Sequence, residues 1–208
     1  LILTLAADLR PTVFRPLLGR LTAAAGLGIL IAILFLGAAK GFRPWPMEAA
    51  MAMAASVKAG YALTLGAPSL LAAARLASPE RHGEAWHAWI AWPVALLAAV
   101  AFGQWLGAPA AARSGMLLGS SAQACPSWIV EASLPSLVGL IRIMRTQAPT
   151  RPALTGALLG LAAGAAGAGA YALFCPETSL GFIAIWYTAG LASMVALGAL
   201  LGSWLLRW

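Results

Sequence analysis

The sequence predicts an all-α polytopic membrane protein, a bundle of six transmembrane helices with both termini cytoplasmic. Three observations carry this. Of the 208 residues, 62% are hydrophobic and only 9% are charged, with a mean hydropathy of +0.86, whereas a soluble domain needs roughly 25% charged residues to cover its surface. Six apolar stretches each come close to the roughly 20 residues that cross the hydrocarbon as a helix. Basic residues punctuate these stretches at their ends. The thirteen Lys and Arg against six acids give a net charge of +7. Because the basic residues interrupt apolar runs and form no polar face, they read as topology signals toward membrane lipid and exclude direct nucleic-acid binding.

The first span runs over Leu21–Ala39. It follows Arg10, Arg15 and Arg20 and exceeds the roughly 7–15 residues of a signal-peptide core, so an uncleaved anchor is expected. The chain opens at Leu1 without methionine, and a few native residues are expected to precede it. KGFRPWP makes an interfacial turn. The second span, Ala50–Leu71, carries Lys58 in its interior, and the third, Trp86–Leu106, is entered through tryptophans at 86, 89 and 92. A weakly apolar connection rich in Gly, Ala and Ser leads to the fourth span, Pro126–Met144, which holds Glu131 and Pro135. After the basic turn RTQAPTRP come the fifth span, Ala153–Phe174, and the sixth, Phe182–Leu206. The chain divides into a cytoplasmic amphipathic segment, residues 1–20, and a membrane domain, residues 21–208.

Orientation follows from the basic residues near span ends. One side collects Arg10, Arg15, Arg20, Arg75, Arg81, Arg142, Arg145, Arg151 and Arg207, nine in all, against Lys40, Arg43 and Arg113 on the other. The richer side is expected to be the cytoplasm.

This topology puts both cysteines at the outer face, Cys125 opening the fourth span and Cys175 following the fifth, each directly before a proline. The two spans form a hairpin that returns both ends to one surface. Packed helix axes lie about 8–10 Å apart, while a disulfide needs Cα atoms about 4.4–6.8 Å apart, so a bond requires help from the loops. A packing role, a redox pair and a thiol-ligand role all stay open for these residues, though a shared metal ion would need further ligands. No C-x-x-C occurs, which speaks against a quinone-linked thiol oxidoreductase and a closed zinc site.

Lys58 and Glu131 are the charges expected within the hydrocarbon, about 12 and 8 Å deep at 1.5 Å per residue. Such groups face a partner or a cavity. They read as a buried pair that selects helix neighbours, with an ion path through a small metal or organic-ion transporter as the alternative. Gly156, Gly160 and Gly164 at four-residue spacing suit close helix contact inside the bundle rather than a dimer face. His82 and His87 share no clean helical face, which weakens them as metal ligands. No phosphate-binding loop, catalytic triad or metalloprotease motif is present, so no enzyme and no resident cofactor are expected. Leu1, Leu5 and Leu9 make one apolar face of a short helix ended by Pro11. That face suits either anchoring on the membrane or docking into a partner's groove.

LAADLRP before the first span, ACPSW around Cys125, the AP-x-x-P turn at Ala148–Pro152, YALFCPETS-x-x-F-x-x-IWY and the closing LLRW together resemble the NrsF-type family of bacterial membrane-integral negative regulators of sigma factor. The likeness covers nearly the whole chain and is strongest from Cys125 to Trp208. It implies an inner-membrane protein that holds an extracytoplasmic-function sigma factor inactive. It further implies that a periplasmic cysteine pair, here Cys125 and Cys175, senses heavy-metal or oxidative stress. The sigma-contacting part is then expected at Leu1, Leu5, Asp8, Leu9 and Arg10.

Overall fold

A computed structural model describes residues 14–42, 48–77 and 86–207, and only the backbone of residues 14, 15, 86 and 87. The proposed sigma-contacting residues, Arg43, Arg81, His82 and the His87 side chain lie outside the described residues. Every regular element described is helical: α1 (Phe14–Lys40), α2 (Ala49–Leu76), α3 (Trp86–Gly107), α4 (Ala110–Leu118), α5 (Ala124–Met144), α6 (Pro152–Tyr171) and α7 (Leu180–Leu205).

Helix ends follow the local chemistry. α5 runs into a 3-10 turn, Arg145–Gln147, and stops where Ala148 adopts the left-handed conformation at φ 48°. Pro152 opens α6, at a position where its missing N–H leaves no bond unmade. α4 falls within the stretch expected to be an irregular connection. Gly119, at φ 53°, ends it, with its N–H on the Gly115 carbonyl at 2.9 Å. α6 ends at Tyr171, three residues before the expected boundary, and a turn carries the chain from it to Cys175, which is not helical. α7 contains a π-helical turn, Ile183–Tyr187.

Among the described residues, five helices are long and apolar enough to cross a membrane: Pro16–Lys40, Ala88–Gly107, Ala124–Gln147, Pro152–Tyr171 and Leu180–Leu205. The remaining long helix, α2, spans 28 residues but is diluted by Lys58, Tyr61, Thr64 and Arg75.

α6 is the centre of the bundle. Its span is 78% buried, against 11% for the peripheral α3, and it packs on α1, α2, α5 and α7. Small side chains permit this, because in lipid the drive for association is close van der Waals packing. Gly156 and Gly160 lie against Gly198, Gly202 and Met194 of α7; a Cβ built on Gly156 would come 2.7 Å from the Gly202 Cα. The glycine face is therefore consumed inside the bundle.

The core falls into two clusters. One holds Leu17 and Leu21 of α1, Met144 of α5, Leu158 of α6 and Leu206. The other holds Leu36, Cys125, Tyr171, Cys175, Phe182 and Tyr187. Successive helices thus run antiparallel between two ends. Arg20, Arg75, Arg142, Arg145, Arg151 and Arg207 are exposed toward the first end, and Lys40 is exposed toward the second.

Candidate functional site

Cys125 and Cys175 meet at the second end. Both are free and buried, 0% and 6% exposed. Cys125 lies in the first turn of α5, where its N–H reaches the Ser121 carbonyl at 2.9 Å; the Cys175 N–H closes the turn after α6 on the Tyr171 carbonyl at 3.0 Å. The two thiols lie in the same buried cluster, close enough to influence each other's ionisation. The neighbouring Cys125 thiol favours the Cys175 thiolate, burial opposes it, and the nearby Lys58 ammonium and the Glu177 backbone assist. The net effect holds Cys175 below the usual thiol range.

Lys58 reaches this site from α2. It is fully buried, its Nζ donates to the Cys175 carbonyl at 3.1 Å, and it lies 5.7 Å from the centre of the Tyr187 ring. A buried ammonium needs such partners. The expected partner was Glu131, and the structure corrects this. On α5 the buried residues Ile129 and Ser133 flank Glu131, two positions away on either side, which is about 200° around a helix. Glu131 therefore points outward, into a groove of about 600 Å³ between α1 and α5 lined by Ile31, Phe35, Leu134 and Val138. It has no ion pair among the described residues. The two charges thus have different surroundings and are not bridged to each other.

Several groups of the site carried no distinct signal in the sequence. Tyr171 and Tyr187 are fully buried beside the thiols, with ring centres 6.1 Å apart, and neither hydroxyl has a hydrogen-bond partner among the described residues. Tyr61 is bonded to Thr188 at 2.8 Å across α2 and α7. Lys40 lies 4.4 Å from the Trp128 ring centre and 5.5 Å from that of Tyr171, roofing the site from the end of α1. Glu177 stood in the sequence only as part of the Cys-Pro-Glu element. Its Oε1 accepts from the Ser120 N–H at 2.7 Å, the Ser120 hydroxyl at 2.7 Å and the Ser121 hydroxyl at 3.1 Å. Burial alone would raise its carboxyl, but the bonds from Ser120 and Ser121 outweigh this and hold it below the usual range.

Among the described residues, no group of three or more His, Cys, Asp or Glu is placed to share a metal ion. The two sulfurs alone suit a soft ion that accepts two thiolates.

Residues 5–208 match the family described as "NrsF: Negative regulator of sigma F". The chain is 38% identical over 152 residues to a probable anti-sigma-F factor NrsF of Azospira oryzae, covering 73% of this chain and 71% of that protein. It is 35% identical over 192 residues to the anti-sigma-F factor NrsF of Caulobacter vibrioides, covering 91% and 89% respectively. No solved structure matches.

Proposed function

As the chain belongs to the NrsF family of negative regulators of sigma F, we propose that it is an inner-membrane anti-sigma factor that sequesters an extracytoplasmic-function sigma factor and releases it when Cys125 and Cys175 react with a heavy metal or an oxidant. The observation that carries the sensing step is the meeting of these two free thiols, one at the start of α5 and one just beyond the end of α6, in one buried cluster. A soft metal ion would bridge the sulfurs, displacing their protons. A peroxide would join them in a disulfide, taking two electrons and two protons from the thiols and being reduced to two waters. The protein needs no resident cofactor for either.

Cys125 begins α5 and Cys175 follows α6, and these helices join at the other end through Arg145–Arg151. Drawing the sulfurs together changes how α5 lies on α6. The sigma factor, docked on the segment 1–20 that leads into α1, would feel that change if its affinity differs between the two arrangements. Replacing both cysteines with serine is expected to leave resting repression intact and abolish induction of a sigma-dependent reporter by a soft divalent metal or peroxide. Undiminished induction in that variant removes the sensing role.

The same reading counts α2 as a sixth span and puts both termini in the cytoplasm, with the cysteine pair at the periplasmic end. The exposed arginines gathered at the end away from the cysteines support it. A reporter that is active only in the cytoplasm should therefore work when fused after Trp208. Activity of a periplasm-only reporter at that position would require an odd number of spans or the reverse orientation.

A further inference from the structure

We propose that Glu177 is a latch, a positioning residue that holds the connection between α4 and α5 over the buried thiols and so sets how fast a water-borne reagent reaches them. The proposal rests on the sensing role of the cysteine pair for its biological meaning, but its geometry stands apart from it. Cys125 and Cys175 are 0% and 6% exposed, so any reagent needs part of the protein to move. The connection at 119–123 is the segment best suited to do so. Ala122 packs on the core cluster that contains both cysteines, and the Ser121 carbonyl holds the Cys125 N–H at 2.9 Å.

Polar bonds dominate what keeps this segment down. α4 has no buried residue of its own, so little core burial ties it in place, and segments of that kind open locally before the rest of a fold. The fastening is the Glu177 carboxylate, which gathers one backbone N–H and two hydroxyls from Ser120 and Ser121. Bonds to an ionised acceptor are the stronger class. Two further bonds clamp the end of α4 on the same side: the Ser179 hydroxyl to the Met116 carbonyl at 2.8 Å, and the Trp186 indole N–H to the Leu117 carbonyl at 2.9 Å. The local sequence is built for the carboxylate. Gly119 takes φ 53°, and a Cβ there would stand 2.5 Å from Glu177 Oε2, so glycine supplies both the turn and the space. Glu177 also follows Cys175 by only two residues. One residue therefore ties the backbone of one cysteine to the segment that leads into the other.

The test is alkylation of the full-length protein in detergent by a charged maleimide, with the rate read at Cys125 and Cys175 by mass spectrometry. Glu177→Ala is expected to accelerate labelling at least tenfold. The Ser120→Ala/Ser121→Ala variant, which keeps the carboxylate and is the milder change, should accelerate it by a smaller factor. A Leu140→Cys reporter, in the core at the opposite end, should stay as slow as in the otherwise unchanged protein. Unchanged rates in both variants overturn the latch, and so does acceleration that appears equally at position 140, since that is loosening of the whole bundle. In cells, Glu177→Ala should lower the inducer concentration needed for reporter activity about tenfold. Faster labelling with an unaltered response would leave the latch standing and count against the sensing role.

Discussion

Leucine in place of Gly198 is expected to destabilise the bundle strongly. A Cβ at Gly198 would meet the Gly156 carbonyl oxygen and come 2.7 Å from the Gly160 Cα and 2.9 Å from the Gly160 nitrogen. These are backbone atoms of the central helix and cannot turn aside as a side chain would. Relief requires α6 and α7 to separate along their whole crossing, which also breaks the contacts of Met194 and Gly202. Overpacking a core costs about 1–3 kcal/mol, and a leucine wedged between two backbones belongs at or above the top of that range. Unfolding of the purified protein in detergent should show the loss, with Gly198→Ala intermediate. Gly169→Ala on α6 is the control, because nothing lies within 4 Å of a Cβ there; it should be neutral or slightly stabilising, since alanine exceeds glycine in helix preference by about 0.8–1 kcal/mol. Equal tolerance of leucine at 198 and alanine at 169 would mean that the two helices do not cross at these glycines.

The second large effect is expected at Lys58. Lys58→Ala removes a fully buried side chain, leaves a cavity between α2 and the end of α6, and strands the Cys175 carbonyl without its 3.1 Å donor. Together these should cost about 3 kcal/mol. Lys58→Met retains the volume and removes the buried charge, a change that is often close to neutral. A large difference between the two variants in detergent melting would identify packing as the main contribution of this residue. If methionine proves as damaging as alanine, the ammonium itself holds the cysteine loop against α2, and Lys58 belongs with Glu177 among the groups that shape the thiol site.

The helical class and the apolar runs were legible because lipid imposes a length and a composition on each crossing helix, and neither depends on neighbours. The small-residue spacing of Gly156 and Gly160 was legible for a related reason: few patterns allow two backbones to touch. α4 was missed because its nine residues, AAARSGMLL, are too short and too mixed to show a period beside glycine- and serine-rich flanks. The π-helical turn, Ile183–Tyr187, leaves no trace in composition, yet it belongs to the stretch that supplies Trp186 to α4 and Tyr187 to the thiols.

What the chain alone determined is the helical, strongly apolar class, where basic residues interrupt the apolar runs, and that two cysteines lie near the ends of such runs. What only the tertiary structure decided is the company each side chain keeps. Lys58 and Glu131 looked equivalent as charges at similar depth. The rotation of α5 against its neighbours turned Glu131 outward, while α2 delivered Lys58 to a backbone carbonyl that carries no label in the sequence. Partners of this kind are set by the relative rotation and depth of packed helices, and those depend on all the interfaces at once.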